Sequence, residues 1–238
     1  MSAESAALSS RRIEVAGGLA RVRARIDSAR RAAGRVDEVT LIVVTKRFPA
    51  ADVDLLADLG VTDVGENKEQ EARAKYAVVQ SRERLRLHFI GQLQSNKAGA
   101  VAQIADVVHS VDRAKLIDAL GRHRGPMGRP LDVLIQVSLD GATGRGGALP
   151  AEVPRLAGLV AGQEWLRLRG VMAVAPLGAD PDRAFADLRT VSDAIRAEHP
   201  EARWISAGMS ADLEAAVRHG ATHLRVGTAI LGTRASLG

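Results

Sequence analysis

Eight short runs of β-branched and apolar residues recur along this chain, each followed by a longer stretch of helical pattern, and this alternation is the signature of repeated βα units. The runs lie at 39–46, 63–66, 85–91, 107–111, 131–138, 166–174, 203–208 and 223–230. Between them helical patterns cover about 50–60, 67–80, 94–105, 113–123, 150–162, 181–198 and 210–219, and an amphipathic helix over about 9–34 precedes them all. Eight strands in strict alternation point to an α/β chain folded as a single (β/α)₈ TIM barrel with an extra N-terminal helix. An open doubly wound sheet would show a Gly-rich fingerprint after its first strand. That position reads VVTKRFP instead. A length of 238 residues suits one barrel domain over 1–238, and the Gly/Pro-rich pieces at 121–130 and 141–150 are short enough to be its loops. The second of these, within DGATGRGGALP, follows the fifth strand and could cover the C-terminal face.

Several function classes drop out at once. There is no cysteine, which removes disulfides, thiolate metal sites and thiol nucleophiles. No HExxH, GxSxG or Walker-type segment is present. The opening MSAESAALSSRRIEV lacks an export pattern, and the most apolar later stretch is broken by Glu164, Arg167 and Arg169, so a cytoplasmic chain that does not enter a membrane is expected. The net charge of +5 is scattered and aromatics are only 3%, a poor match to single-strand nucleic-acid binding. Its densest patch, Arg21, Arg23, Arg25, Arg30, Arg31 and Arg35 in the first helix, is the one place where an anionic partner is conceivable.

In such a barrel, functional side chains project from the C-terminal ends of strands. The first strand delivers Lys46 there, where low-dielectric walls would favour the neutral, nucleophilic amine, although Lys46 taken alone reads more readily as the first solvated residue past a strand. The second ends at Asn67, which the pattern Asn67-Lys68-Glu69-Gln70 also fits as a helix N-cap in a capping box. At the seventh strand end WISAGMSADLEAA sets Gly208 and Ser210 before a helix, and at the eighth RVGTAILG supplies Gly227 and Thr228. Unpaired N–H donors at these two ends are where barrels frequently take a phosphate. Arg225, two residues before Gly227, is either an inward cation in need of a partner or an outward arginine on a helix carboxylate. His88, His109 and His223 lack metal-ligand spacing and read as satisfied barrel or surface histidines.

Taken together, VVTKRFP, VGENKEQE, HFIGQLQSNK, RGVMAVAP, SAGMSADLEAA and RVGTAILG make nearly the whole chain resemble the pyridoxal phosphate homeostasis proteins, which are similar to the N-terminal barrel domain of alanine racemase. The resemblance implies pyridoxal 5′-phosphate, a vitamin B6 cofactor, held as a Schiff base on Lys46. It further implies a cofactor-binding set of Lys46, Asn67, Ser206, Gly208, Met209, Ser210, Arg225, Gly227 and Thr228, with no catalytic residue and no metal. Arg225 would approach the pyridine nitrogen, where a fixed cation opposes protonation and makes the ring a poorer electron sink. Three positions depart from the family pattern: Lys68 stands where an aromatic is usual, Leu231 replaces a phenylalanine, and Arg145 replaces a lysine.

Two-base racemisation needs an acid/base on each face of a substrate, typically lysine and tyrosine. The sole tyrosine, Tyr76, falls in a helix away from the expected barrel mouth, and the chain ends directly after the eighth strand unit. The resemblance therefore implies storage and delivery of the cofactor by a monomer, with pyridoxal-dependent apoenzymes as possible recipients and without robust catalysis. The alternatives are a vestigial amino-acid racemase, a barrel enzyme forming an imine with a phosphorylated substrate, and an interaction protein using the arginine-rich helix.

Overall fold

The computed structural model describes residues 3–142 and 146–233. Its strands are β1 (Thr40–Val44), β2 (Asp63–Glu66), β3 (Arg86–Phe89), β4 (Val107–Val111), β5 (Leu131–Gln136), β6 (Leu166–Met172), β7 (Trp204–Ser206) and β8 (His223–Val226). All pair in parallel and in chain order, and β8 closes the ring on β1 from Thr40 opposite His223 to Val43 opposite Val226. The (β/α)₈ barrel read from the alternation is therefore the fold. The helices are α1 (Ala3–Ala32), α2 (Ala50–Asp58), α3 (Glu69–Tyr76), α4 (Ala98–Ile104), α5 (Ala114–Arg124), α6 (Val153–Ala161), α7 (Pro181–Glu198), α8 (Leu213–Arg218) and α9 (Thr228–Leu231).

Strand alternation sorts the side chains into two compartments. Val43, Val64, Leu87, Val133, Ile205 and Leu224 face the helix layer and belong to the main core. Complete burial of each such side chain is worth about 1.5–3 kcal/mol. The opposite parity points into the barrel, where Val107, Leu134 and Met172 form a separate small core with Trp204 packed on it. Beside that plug lie buried polar residues, His88, His109, Ser206, His223 and Arg225, which is unusual filling for a barrel dominated by branched apolar layers.

Helix α1 presents Val15, Leu19, Val22, Ile26 and Ala29 at three- and four-residue spacing, all buried. It lies against α8 and α9. At Gly18 a Cβ would stand 2.5 Å from the carbonyl oxygen of Ile230, so only glycine permits this crossing. The arginine patch read from the sequence is largely dispersed among partners. Arg25 pairs with both oxygens of Glu214 at 2.8 and 2.9 Å, Arg35 reaches the carbonyls of Val217 and Ala221 at 2.8 Å each, and Arg30 sits 3.6 Å from Asp27. Arg21 and Arg31 stay exposed.

The interior histidines make stability depend on pH. Burial pushes His223 down to about 3, and its ring stacks on Trp204 with centroids 4.3 Å apart while Nδ1 bonds the Thr222 hydroxyl at 2.8 Å. An unfolded histidine takes its proton near about pH 6.5, whereas the native one refuses it, so the unfolded state binds more protons throughout that interval. Stability should therefore fall as pH drops below about 6.5, by about 1.4 kcal/mol per pH unit for each such histidine. Urea unfolding of the protein and of His223→Gln at neutral and mildly acid pH checks this, with a shallower decline expected for the variant.

Candidate functional site

Strand β1 ends at Val44, and Lys46 lies two residues on in a turn. Arg47 takes a left-handed conformation with φ 67°, which stops the strand before Phe48-Pro49. Lys46 is exposed, so its amine is not held in the low-dielectric surroundings expected from the apolar run preceding it. The reason is the early strand end: the turn lifts the side chain out to the rim. Lys46 lines a cavity of about 430 Å³ together with Val44, Asn67, Lys68, Gly227 and Thr228. Residues from the ends of β1, β2 and β8 thus meet at one rim of the barrel, which the linear sequence separates by 182 positions between Lys46 and Thr228.

Asn67 does not cap the following helix. Helix α3 starts at Glu69 with Lys68 as its N-cap and no side-chain capping bond, so the capping-box reading is replaced by one in which the Asn67 amide is left for the cavity. Its backbone is pinned from behind by Gly91, where a Cβ would stand 2.0 Å from the Asn67 carbonyl oxygen. Gly91→Ala is expected to move this segment and destabilise the chain by roughly 1–3 kcal/mol, measured by urea unfolding. Gly91 opens the segment Gly91-Gln92-Leu93-Gln94, and Gln92, Gln94 and Lys97 line a neighbouring cavity of about 600 Å³ that shares Asn67 and Lys68.

The seventh strand end differs from the sequence reading. Helix α8 begins at Leu213 rather than at 210, and Ser210 lies in the turn before it. The Asp212 side chain accepts the Met209 N–H at 2.6 Å, which closes the 209–212 turn and postpones the helix. Gly208 holds φ +89°, and a Cβ there would stand 2.6 Å from the Ala216 Cβ. Gly208, Met209 and Ser210 are not among the residues lining the 430 Å³ cavity. The eighth strand end is closer to expectation. Gly227 is the N-cap of α9, a short helix inside the stretch read as strand, and a Cβ on Gly227 would press on Val44 at 3.1–3.2 Å. The first N–H groups of such a turn have no intrahelical acceptor.

Below the rim, Arg225 points inward and is buried, which settles its two sequence readings in favour of the inward one. Its Nη1 donates to Ser206 Oγ at 2.6 Å and its Nη2 to the Ala173 carbonyl at 2.9 Å. Burial pushes its pKa down to about 10, leaving it a cation at neutral pH.

A cluster that sequence reading missed holds the Lys46 turn. Buried Lys75 on α3 donates to Glu66 Oε1 at 2.6 Å, to the Thr45 carbonyl at 2.7 Å and to Glu71 at 3.2 Å, while the Thr45 hydroxyl donates to the same Glu66 oxygen at 2.6 Å. Glu71 also accepts the Arg47 N–H. Both neighbours of Lys46 are thereby tied to one ion-paired knot. Burial raises Glu66 above the ordinary carboxylate range, with Lys75 and Thr45 opposing. The one available signal was the i, i+4 pair Glu71/Lys75 on a helix, which alone suggests an exposed bridge.

Loop residue Arg145 lies outside the described residues, so the covering-loop reading concerns only its flanks. There Ala148 pairs with Val137, and the Gly147 N–H reaches Asp112 at 3.2 Å. Leu231 is buried under α1, and exposed Lys68 borders both cavities. Among the described residues no group of three His, Cys, Asp or Glu could hold a metal, and no helix is long and apolar enough to cross a membrane.

The profile of the alanine racemase N-terminal domain matches residues 18–235. The pyridoxal phosphate homeostasis protein of Mycobacterium tuberculosis strain H37Rv is 44% identical, covering 98% of each chain. The chain belongs to the pyridoxal phosphate homeostasis protein family. Its Escherichia coli K12 relative of that name is 37% identical over 93% of this chain and 97% of its own. The solved structure of PipY from Synechococcus elongatus with PLP bound is 34% identical, with a TM-score of 0.79, and covers 92% of this chain and 100% of that one.

Proposed function

We propose that this chain binds pyridoxal 5′-phosphate at the rim built by Lys46, Asn67, Gly227 and Thr228, and stores and delivers it in the cytoplasm as a monomer without robust catalysis of its own. The observation that carries this reading is the convergence of an amine, an amide, a glycine turn and a hydroxyl on one cavity of about 430 Å³.

The donor set fits the cofactor. The Lys46 ammonium and the hydroxyls of Ser210 and Thr228 have no hydrogen-bond partner among the described residues. Gly227 brings its backbone against Val44 where any Cβ would intrude, as a close phosphate requires. Arg225 and Ser206 lie one layer deeper, on the side the ring would face, with guanidinium N–H groups to spare beyond those given to Ser206 and Ala173. When bound, the cofactor supplies an aldehyde that condenses with an amine with loss of one water, and a ring whose electron demand depends on its nitrogen. Lys46 provides that amine and Thr228 a phosphate donor, with Gly208, Met209 and Ser210 approaching from the β7 end. Arg225 would hold positive charge on the nitrogen's side of the ring, which would keep a proton off it.

Storage rather than turnover is supported by Tyr76. The only tyrosine is buried at the end of α3 and burial drives its pKa up, so no second acid/base faces the site from a tyrosine. The curated relatives carry the name homeostasis protein, which agrees with that role.

The test is the absorbance spectrum of the purified protein before and after borohydride, followed by peptide mapping and by mixing the loaded protein with a pyridoxal-dependent apoenzyme. A pyridoxyl group on Lys46 and activation of the apoenzyme are expected. A colourless, unlabelled protein, or rapid racemisation of alanine or serine, overturns the reading.

A further inference from the structure

Arg225 is a buried cation that touches no carboxylate among the described residues; Asp212 acts on it only through space, so the orientation of its guanidinium has to come through its neutral acceptors. The structure supplies a route. Ser206 Oγ, which accepts from Arg225 Nη1, lies 2.9 Å from His109 Nδ1. His109 Nε2 lies 2.8 Å from His88 Nδ1, and His88 Nε2 lies 2.8 Å from Asp63 Oδ1. Thr62 donates to the other Asp63 oxygen at 2.7 Å. Contributed by β2, β3, β4, β7 and β8, this chain crosses the barrel interior beside the apolar plug.

Hydrogen-bond bookkeeping leaves one direction for it. An ionised Asp63 only accepts, so His88 must carry its proton on Nε2 and, if neutral, present a lone pair on Nδ1. His109 must then donate from Nε2 and, being neutral, offer only a lone pair at Nδ1, so the Ser206 hydroxyl donates there while its oxygen accepts from Arg225. The reverse direction would set the His88 Nε2 lone pair against the carboxylate. The other solutions need a doubly protonated histidine or a protonated Asp63, and the surroundings disfavour each. The charged and titratable groups facing the pair are Asp63, Arg86, Asp106, His223 and Arg225. Burial lowers both histidines, outweighing Asp63 at His88 and reinforced at His109 by Arg225 and His223. Asp63 stays below the ordinary carboxylate range because its bonds to His88 and Thr62 outweigh its own burial.

We infer that Asp63, His88, His109 and Ser206 are positioning residues for the cofactor: a one-way relay, anchored by Asp63 at the opposite end of the barrel, that fixes the Arg225 guanidinium toward the ring. The inference rests on the cofactor site proposed above. None of Asp63, His88 or His109 reaches the rim, so each acts through its neighbour.

Nitrogen-15 spectra of the histidine rings and of the Arg225 guanidinium, recorded on the cofactor-free protein, test the relay directly. Both histidines should carry a proton on Nε2 alone across about pH 5.5 to 8, the span around the ordinary histidine pKa. The two Nη signals of Arg225 should stay separate, because each nitrogen holds its own acceptor. Asp63→Asn keeps an acceptor oxygen but removes the charge that selects the direction, so His109, two hydrogen bonds away, should populate both tautomers. Ser206→Ala should merge the Arg225 signals and speed release of bound, unreduced pyridoxal 5′-phosphate roughly tenfold, and Ser206→Thr should restore both. Nδ1–H tautomers or a doubly protonated His88 in the wild type, or an unchanged His109 in Asp63→Asn, overturns the relay even if pyridoxal 5′-phosphate binds. Absence of any borohydride-trapped adduct on the wild type overturns instead the cofactor reading and the role given to Arg225.

Discussion

Replacing Lys46 by Ala is expected to abolish the borohydride-trapped pyridoxyl adduct and to lower retention of pyridoxal 5′-phosphate through desalting by at least ~100-fold, since only non-covalent contacts would remain. The protein should fold normally, because Lys46 is exposed and holds no partner among the described residues. The informative control is Lys68→Ala. Lys68 lines the same cavity and is exposed as well, so proximity to the cavity does not by itself distinguish the two amines. What distinguishes them is the support beneath. The turn carrying Lys46 is tied on both sides, at Thr45 and Arg47, to the Lys75–Glu66–Glu71 knot. Lys68→Ala should keep the full adduct. Transfer of the label to Lys68 in the Lys46 variant, or loss of it in Lys68→Ala, would reverse the assignment. Mass spectrometry of reduced, digested protein reads either outcome.

That knot carries the second large effect. Lys75→Met removes the only cation bonded to Glu66 among the described residues, where this carboxylate is completely buried and its Oε2 has no partner. Stripping one member from a buried pair typically costs about 3–5 kcal/mol, because the remaining charge is left in a poor solvent. The loss should depend on pH in a defined sense. With Lys75 gone, burial acts on Glu66 unopposed, so the folded variant takes up a proton at a pH where the unfolded chain has released it. The native state then binds more protons, and variant stability declines as pH rises from about 5 to about 8. Urea unfolding across that range should show a deficit that shrinks toward acid. Glu66→Gln combined with Lys75→Met should recover part of it, since no charge is then stranded. A uniform deficit at every pH would point to lost packing of the lysine stem rather than to charge.

The fold was legible in the sequence, and so were Lys46, Asn67, Gly227 and Thr228 as strand-end residues that turn out to line one cavity. The period-2 runs and their helical spacers specified eight βα units because inward and outward parity is written directly into neighbouring residues. Lys46, Gly227 and Thr228 stood out because a barrel assigns chemistry to strand ends. Boundaries were less legible. The 223–230 run reads as one strand, yet it breaks at Gly227 into β8 and α9, and helix α8 starts late because the Asp212 side chain takes the Met209 N–H first. Asn67 looked like a cap by its local pattern, but α3 begins one residue later.

The histidines mark the limit most clearly. Their lack of metal spacing was readable, and so was the expectation that they would be satisfied within strands. That Asp63, His88, His109, Ser206 and Arg225 would join end to end was not, since they come from five strands and meet only where the closed ring turns them onto a common axis. Periodicity, strand number and the residues offered at each strand end were thus determined by the chain itself, because they depend on neighbours a few positions apart. Which buried charge answers which, and whether the Lys46 amine lies in a dry wall or on an open rim, was decided only by tertiary closure. Burial and hydrogen-bond partners are properties of the space between strands rather than of any one strand.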